Sequence, residues 1–178
     1  QFFRDPPRHV PQQANAVFEA SLQPAPLWLR ANRQQGGREA ALAALQQAGI
    51  TVVPSALCSD AIALETPVAV NQLPGFADGA LSVQDLSAQQ AADAFAPPQG
   101  ARVLDACAAP GGKAAHLLER DPSLQLLALD IDARRLARVK DTFLRTGVGA
   151  QAQTLAADAS DPGAWWDGVP FAAILLDA

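Results

Sequence analysis

The second half of the chain alternates strand-like and helix-like runs, and no other feature constrains the fold as strongly. The runs are, in chain order, a strand at residues 102–106, a helix at 112–120, a strand at 126–130, a helix at 133–145 and strands at 153–157 and 171–176. Runs such as LLAL and AAILL are apolar without alternation, as in strands that are buried on both faces of a parallel sheet. We therefore predict a doubly wound α/β core.

Upstream of this core, residues 22–74 predict a small α+β unit with an antiparallel sheet. The segment PAPLWLRAN is too rich in proline to begin a helix, so we expect it to be extended. Residues 38–48 have apolar side chains at helical spacing and are followed by Gly49, which is typical of a helix end. The runs ITVVPS and AIALET predict two short strands separated by a polar turn.

The prolines near the start of the chain are typical of a linker. We therefore assign residues 1–21 to a linker or helical tail of an upstream domain, with a helix near residues 14–22, and residues 75–178 to the second domain. In that second domain, Ser87 and Gln90 have the spacing of a capping box and predict where a helix begins.

The loop between the first strand and the first helix of the core reads CAAPGGK. A helix that directly follows a strand presents free N–H groups and a positive dipole end, so Gly111 and Gly112 would let an anionic group approach the backbone. A phosphate-binding loop is disfavoured, because it needs glycine where Cys107 stands and a hydroxyl where Ala114 stands. The spaced glycines of a dinucleotide fingerprint are also missing.

Every predicted strand of the core ends within one residue of an aspartate, at the edge where open α/β sheets bind ligands. These residues are Asp105, Asp130, Asp158 and Asp177. One such aspartate is equally well explained as a helix N-cap, but four in register favour a cationic ligand. S-adenosylmethionine fits this pattern, because its carboxylate suits the loop amides, while its sulfonium, ammonium and ribose hydroxyls suit the acids.

Other conspicuous side chains have simpler explanations. Lys113 is expected to be solvated, and His116 is expected to be a partly buried spacer rather than a base. Trp165 and Trp166 could stack on a nucleic-acid base, but packing that fixes a loop is the commoner role of such residues.

The net charge of −5 argues against a nonspecific coat for nucleic acid, although it allows a local basic patch. One cluster of cations comprises Arg134, Arg135, Arg138, Lys140 and Arg145. We expect a solvated helix face there, because Leu136, Val139 and Phe143 form the opposite, core-facing stripe.

Cys58 and Cys107 are too few and too far apart for a disulfide framework or a zinc cluster. No apolar run approaches the ~20 residues that a bilayer crossing requires, and the first residues lack the order of a signal peptide. We therefore expect a cytoplasmic protein with no metal and no membrane contact. The sequence does not determine the oligomeric state, although a monomer is favoured.

The motif LDACAAPGGKAAHLLE closely resembles the first motif of the RNA cytosine-5 methyltransferases, and LALDIDARRLARVKDTFLRTG, AAD and AAILLDA resemble their next motifs in order. PLWLRAN and LPGFADGALSVQDLSAQ resemble the upstream segments of bacterial members that modify 16S ribosomal RNA. The resemblance covers nearly the whole chain. It implies a truncated, Rossmann-like S-adenosylmethionine-dependent methyltransferase core, a preceding RNA-binding-like α+β subdomain, and cytosine 967 of 16S ribosomal RNA as the target.

The resemblance also implies the residues of the cofactor pocket. Its loop would be formed by Cys107, Ala108, Ala109, Pro110, Gly111, Gly112 and Lys113. Asp130 would hold the ribose, Asp158 would lie on the adenine side, and Asp177 would lie between the methyl donor and the target base.

In this family a cysteine thiolate adds to C6 of cytosine, so that C5 can take the methyl group. The family's two relevant cysteines lie in a Pro-Cys directly after LLDA and in a later Thr-Cys, and neither is present up to Ala178. We therefore assign no catalytic residue and expect the 178-residue chain alone not to turn over. Ala114 and Ala115 stand where the family commonly has threonines, which puts one helix-start hydrogen bond in doubt.

Two other functions remain open at the level of sequence. A small-molecule methyltransferase, or another Rossmann enzyme with a nucleoside cofactor, would use the same loop and acids but would have no use for residues 22–72. An RNA-binding pseudoenzyme or assembly factor would keep the fold without the cofactor.

Overall fold

In the computed structural model, which describes residues 12–22 and 25–177, the chain forms two four-stranded sheets. The linker predicted at residues 1–11 lies outside the described residues. The first elements are α1 (Gln12–Ser21), β1 (Leu27–Ala31), α2 (Gly37–Gln47), β2 (Val52–Pro54), β3 (Ala61–Leu64) and β4 (Leu81–Val83). The strands pair in the order β2-β3-β1-β4, and every pair is antiparallel, as predicted for this part of the chain.

Helix α2 packs on one face of the antiparallel sheet. Leu45 of α2 meets Leu29 of β1 and Ile62 of β3 in one cluster, and all three side chains are fully buried. The helix ends before Gly49, whose φ of +74° is the left-handed conformation that a terminating glycine adopts.

The first sheet takes its last strand from beyond residue 74, where the sequence predicted the domain boundary. Strand β4 pairs with β1, with Arg30 opposite Ser82. Leu81 is buried in the same core as Leu29, so the strand completes the first unit although it follows a long loop.

The second sheet has the strand order expected of a Rossmann-like core. Its elements are α3 (Leu86–Phe95), β5 (Arg102–Asp105), α4 (Gly112–Arg120), β6 (Gln125–Asp130), α5 (Ala133–Thr146), β7 (Ala152–Ala156) and β8 (Ala173–Leu175). The strands run in the order β7-β6-β5-β8, and every pair is parallel. This topology confirms the predicted α/β core.

The three helices α3, α4 and α5 cover one face of the parallel sheet. Leu136, Val139 and Phe143 are buried there, which confirms the predicted core-facing stripe of α5. The other face carries a smaller cluster that includes Leu104 and Leu129. Successive residues of β5 and β6 therefore alternate between two cores.

The predicted capping box at the start of α3 is wrong. The helix begins at Leu86, and its N-cap is Asp85, whose carboxylate accepts the N–H of Ser87 at 2.9 Å. Aspartate directly before the first helical residue satisfies this amide, so Ser87 lies inside the first turn.

Across residues 12–22 and 25–177, no helix combines the length and apolar character that a membrane crossing needs. The same described residues contain no group of three or more histidine, cysteine or acidic side chains that could hold a metal ion.

Candidate functional site

The glycine loop joins β5 to α4 and is held firmly against α5. Gly111 has a φ of +98°, and a Cβ added there would lie 3.1 Å from the Cα of Val139. The hydroxyl of Thr142 donates to the carbonyl of Pro110 at 2.8 Å. Glycine at position 111 therefore permits both the turn and the close approach of the loop to the helix.

Most amides of the loop are already paired within the protein. The N–H groups donate as follows: Cys107 to the Asp105 carboxylate (3.4 Å), Ala108 to the Leu129 carbonyl (2.8 Å), Ala109 to the Asp130 carboxylate (3.2 Å) and Gly111 to the Ala108 carbonyl (2.6 Å). Among the described residues, the N–H groups of Gly112 and Lys113 have no such partner. Gly112 and Lys113 therefore offer two loop N–H donors, at the positive dipole end of α4, to an anionic group.

A cavity of about 250 Å³ opens beside this turn. Its walls are formed by Val83, Gln84, Ala88, Asp105, Cys107, Ala108, Ala109, Pro110, Gly112, Lys113 and Asp177. It brings together most of the site residues predicted from sequence. Gly111, Asp130 and Asp158 do not belong to its lining among the described residues, whereas Val83, Gln84 and Ala88 were not predicted.

Asp130 lies behind the loop rather than in the cavity wall. It is 2% exposed, and its carboxylate accepts the N–H groups of Ala109 at 3.2 Å and Asp132 at 3.0 Å. The guanidinium of Arg135 lies 3.5 Å from the same carboxylate. Asp130 therefore fixes the loop to the end of β6, as well as standing at the predicted ligand-binding edge.

Asp158 is exposed and forms a local turn after β7. Its carboxylate accepts the N–H of Ser160 at 2.9 Å and the hydroxyl of the same residue at 2.7 Å. Its backbone carbonyl accepts the indole N–H of Trp165 at 3.0 Å. Trp165 also packs beside Phe171, with ring centroids 6.3 Å apart, and so fixes this loop.

The charges of the cavity are arranged around Asp105. Burial raises the pKa of Asp105 to about 6, although the Cys107 N–H and the Lys113 ammonium act in the opposite direction. The carboxylates of Asp177 and Asp130 raise the pKa further. Lys113 pairs with Asp177, which also lines the cavity, so the lysine is held more firmly than the predicted solvated side chain.

His116 is more buried than predicted. Only 1% of the residue is exposed, and its Nε2 lies 3.0 Å from the carboxylate of Asp60 in the first unit. Burial lowers the pKa of His116, while the hydrogen bond with Asp60 opposes that change. His116 therefore joins the two units and lies outside the lining of the cavity.

The basic cluster on α5 is only partly solvated. Arg134 is 96% exposed, as expected, but Arg145 donates to the carbonyls of Phe76 (2.8 Å) and Leu81 (2.9 Å). Its guanidinium also lies 4.6 Å from the centre of the Phe76 ring. Arg145 thus belongs to the interface between the units, which its helical spacing alone could not reveal.

Comparison with known proteins assigns both units. Residues 7–71 match the family model of the RsmF/B-like methyltransferase ferredoxin-like domain, and residues 92–178 match that of the 16S rRNA methyltransferase RsmB/F. The ribosomal RNA small subunit methyltransferase B of Xylella fastidiosa is 58% identical over 94% of this chain, and that of Vibrio cholerae is 49% identical over 94%. The chain spans 38% of the length of each of these relatives.

A solved structure shares the fold of both units. The crystal structure of PH0851 superposes with a TM-score of 0.84 and 27% identity, covering 95% of this chain and 38% of that one. Since the superposition covers 95% of this chain, it includes both four-stranded sheets. The chain belongs to the RsmB/F family of 16S rRNA methyltransferases.

Proposed function

We propose that this chain is the cofactor-binding part of an enzyme that transfers a methyl group from S-adenosylmethionine to C5 of cytosine in 16S ribosomal RNA. The observation that carries the proposal is the cavity at the start of α4, where free backbone donors and carboxylates face one another in a chain of this family. The cytosine and its position follow from the resemblance of the motifs.

The groups around the cavity fit the charges of this cofactor. The N–H groups of Gly112 and Lys113 would hold its carboxylate, and Asp105 would face its positive charge. The resemblance assigns the ribose to Asp130 and the adenine side to Asp158, which stand outside the cavity lining along the edge formed by the ends of β6 and β7. When bound, the cofactor supplies the methyl group; the chain holds it and excludes water.

Neither cysteine of this chain fits the role of nucleophile. Cys58 is 2% exposed, and burial raises the pKa of its thiol, which disfavours the thiolate that nucleophilic attack requires. Cys107 lies in the glycine loop and lines the cavity that would hold the cofactor. The attacking thiolate would therefore come from a part of the full-length protein outside these 178 residues.

The direct test is to incubate the full-length protein with S-adenosylmethionine and 16S ribosomal RNA that lacks the modification. We expect 5-methylcytosine at one position, detected by mass spectrometry of RNA digests. Methylation of another atom, or of small molecules only, would contradict the substrate assignment. Binding of RNA, with a marked dependence on salt, but no binding of cofactor would identify a pseudoenzyme.

Cofactor affinity is expected to fall in acid because of Asp105. With a pKa of about 6, this carboxyl is ionised at pH 7 and protonated at pH 5, so it loses its attraction for a cation as the pH falls. We expect the Kd for S-adenosylmethionine to rise about tenfold from pH 7 to pH 5, measured by calorimetry.

The matched control for this pH dependence is Asp105→Asn, which keeps the shape of the side chain and removes its titration. The variant should bind weakly at both pH values, with a much flatter profile. An affinity for the wild-type protein that stays constant, or that increases toward pH 5, would remove Asp105 from the cofactor site.

A further inference from the structure

Arg30 of β1 crosses from the ferredoxin-like unit to the cofactor-binding unit. The side chain is 1% exposed, and its Nε and Nη2 donate to the two carboxylate oxygens of Glu119 at 2.8 and 2.7 Å. This bidentate pair satisfies both buried charges. It also ties the first sheet to the C-terminal turn of α4.

The remaining nitrogen of the same guanidinium contacts two residues that form the wall of the cavity. Nη1 donates to the side-chain carbonyl of Gln84 at 2.6 Å and to the backbone carbonyl of Gly112 at 2.7 Å. Gln84 and Gly112 both line the cavity, and Gly112 carries one of the two loop N–H groups that have no partner among the described residues. One buried side chain therefore contacts both ends of α4 and two parts of the cavity wall.

The backbone around Arg30 leaves this group little freedom. Arg30 stands in the pairing of β1 with β3 and with β4, opposite Ala61 and Ser82. Gln84 directly follows β4, and its N–H donates to the carbonyl of Trp28 at 3.2 Å. The first sheet thus provides a rigid base for both the guanidinium and its amide partner.

We propose that Arg30 is a positioning residue for the cofactor: it fixes the first turn of α4 and Gln84, so that the ferredoxin-like unit sets the affinity of the methyl-donor site. This proposal rests on the proposed function, because it takes S-adenosylmethionine as the ligand. Arginine is required, since its three coplanar nitrogens donate hydrogen bonds to Glu119 on one side and to the cavity wall on the other.

The test compares Arg30→Lys with Arg145→Lys in the full-length protein. Both substitutions shorten a cationic side chain in the same interface and remove a planar set of donors. Arg145, however, contacts Phe76, Leu81 and Ser82, and none of these three residues lines the cavity. Each variant is measured for its unfolding midpoint and, while still folded, for its Kd for S-adenosylmethionine.

We expect Arg30→Lys to raise the Kd by about tenfold, and Arg145→Lys to leave it within about twofold while also lowering the unfolding midpoint. The KM for the cofactor should rise in Arg30→Lys while kcat at saturating cofactor changes little. An unchanged Kd in Arg30→Lys, or equal increases in the two variants, would show that Arg30 only holds the units together.

If Arg30→Lys does not fold, Glu119→Gln gives the same comparison. It keeps the shape of the side chain but removes the charge that holds the guanidinium, so a severalfold rise in Kd is expected. An unchanged Kd in this variant would overturn the proposal. Failure of the wild-type protein to bind S-adenosylmethionine would instead contradict the proposed function itself.

Discussion

Replacing Gly79 with alanine is expected to lower the free energy of unfolding by about 3 kcal/mol or more. A Cβ at this position would lie 2.0 Å from the carbonyl oxygen of Arg145 and 2.6 Å from the Cα of Thr146. Both are backbone atoms of the second unit, so neither can rotate away. The φ of +80° adds the cost of a left-handed conformation in a residue with a side chain.

The side chain of Asn32 shows how closely the units approach each other at Gly79. Its amide donates to the carbonyl of Gly79 at 3.0 Å and to that of Thr146 at 2.9 Å, and the residue is 1% exposed. An alanine at position 79 would separate these two carbonyls. The substitution should therefore weaken the whole interface between the units and not only one contact.

The matched control for this prediction is Gly49→Ala. Gly49 also has a positive φ, +74°, but a Cβ there would meet nothing within 4 Å. The free energy of unfolding of the control should fall by only about 1 kcal/mol, because alanine there adopts a left-handed conformation but collides with no other atom. Denaturant unfolding of both full-length variants makes the comparison, and equal losses would contradict the close approach of the two units.

Replacing Gly111 with alanine is expected to weaken cofactor binding more than tenfold. The added Cβ would lie 3.1 Å from the Cα of Val139 and 3.3 Å from its Cγ1, so the loop would have to move away from α5. That movement would displace the N–H groups of Gly112 and Lys113, which the proposal assigns to the carboxylate of the cofactor. The free energy of unfolding should also fall, by about 2 kcal/mol.

Gly168→Ala is the control for that experiment. Gly168 has a φ of +83° and open space around the position of a Cβ, and it lies outside the cavity lining. We expect this variant to be slightly destabilised and to bind S-adenosylmethionine with unchanged affinity in calorimetry. If both variants bind like the wild-type protein, the loop is not the anchor of the cofactor.

Local patterns in the sequence predicted the second unit well. The bounds of α4 agree with the prediction at both ends, because a glycine loop and a change in apolar spacing mark them within a few residues. The stripe on α5 is equally local, since Leu136, Val139 and Phe143 repeat at helical spacing. Such a periodicity can be recognised from neighbouring residues alone.

The interface between the units could not be predicted in this way. Arg30 and Glu119 are 89 positions apart, and nothing in the spacing of either residue signals the other. Arginine and glutamate are usually solvated, so the sequence alone favours the wrong environment for both. The same reason explains why Arg145 and His116 were expected to lie in more open surroundings.

The cofactor site was predicted in part. The sequence located the loop and the edge of the sheet, but it could not tell which loop amides are already used by the protein. Asp130 illustrates this, because its carboxylate was predicted to bind the ligand, whereas in the structure it accepts the N–H of Ala109. Gln84 carries no motif of its own and reaches the cavity only because β4 joins the first sheet.

The most direct test of cofactor binding at the start of α4 is a crystal structure of the full-length protein with S-adenosylhomocysteine. We predict that the carboxylate of the ligand lies within about 3 Å of the N–H groups of Gly112 and Lys113, with its amino group turned toward Asp105. A ligand bound elsewhere, or a first turn of α4 that contacts no part of it, would contradict this assignment.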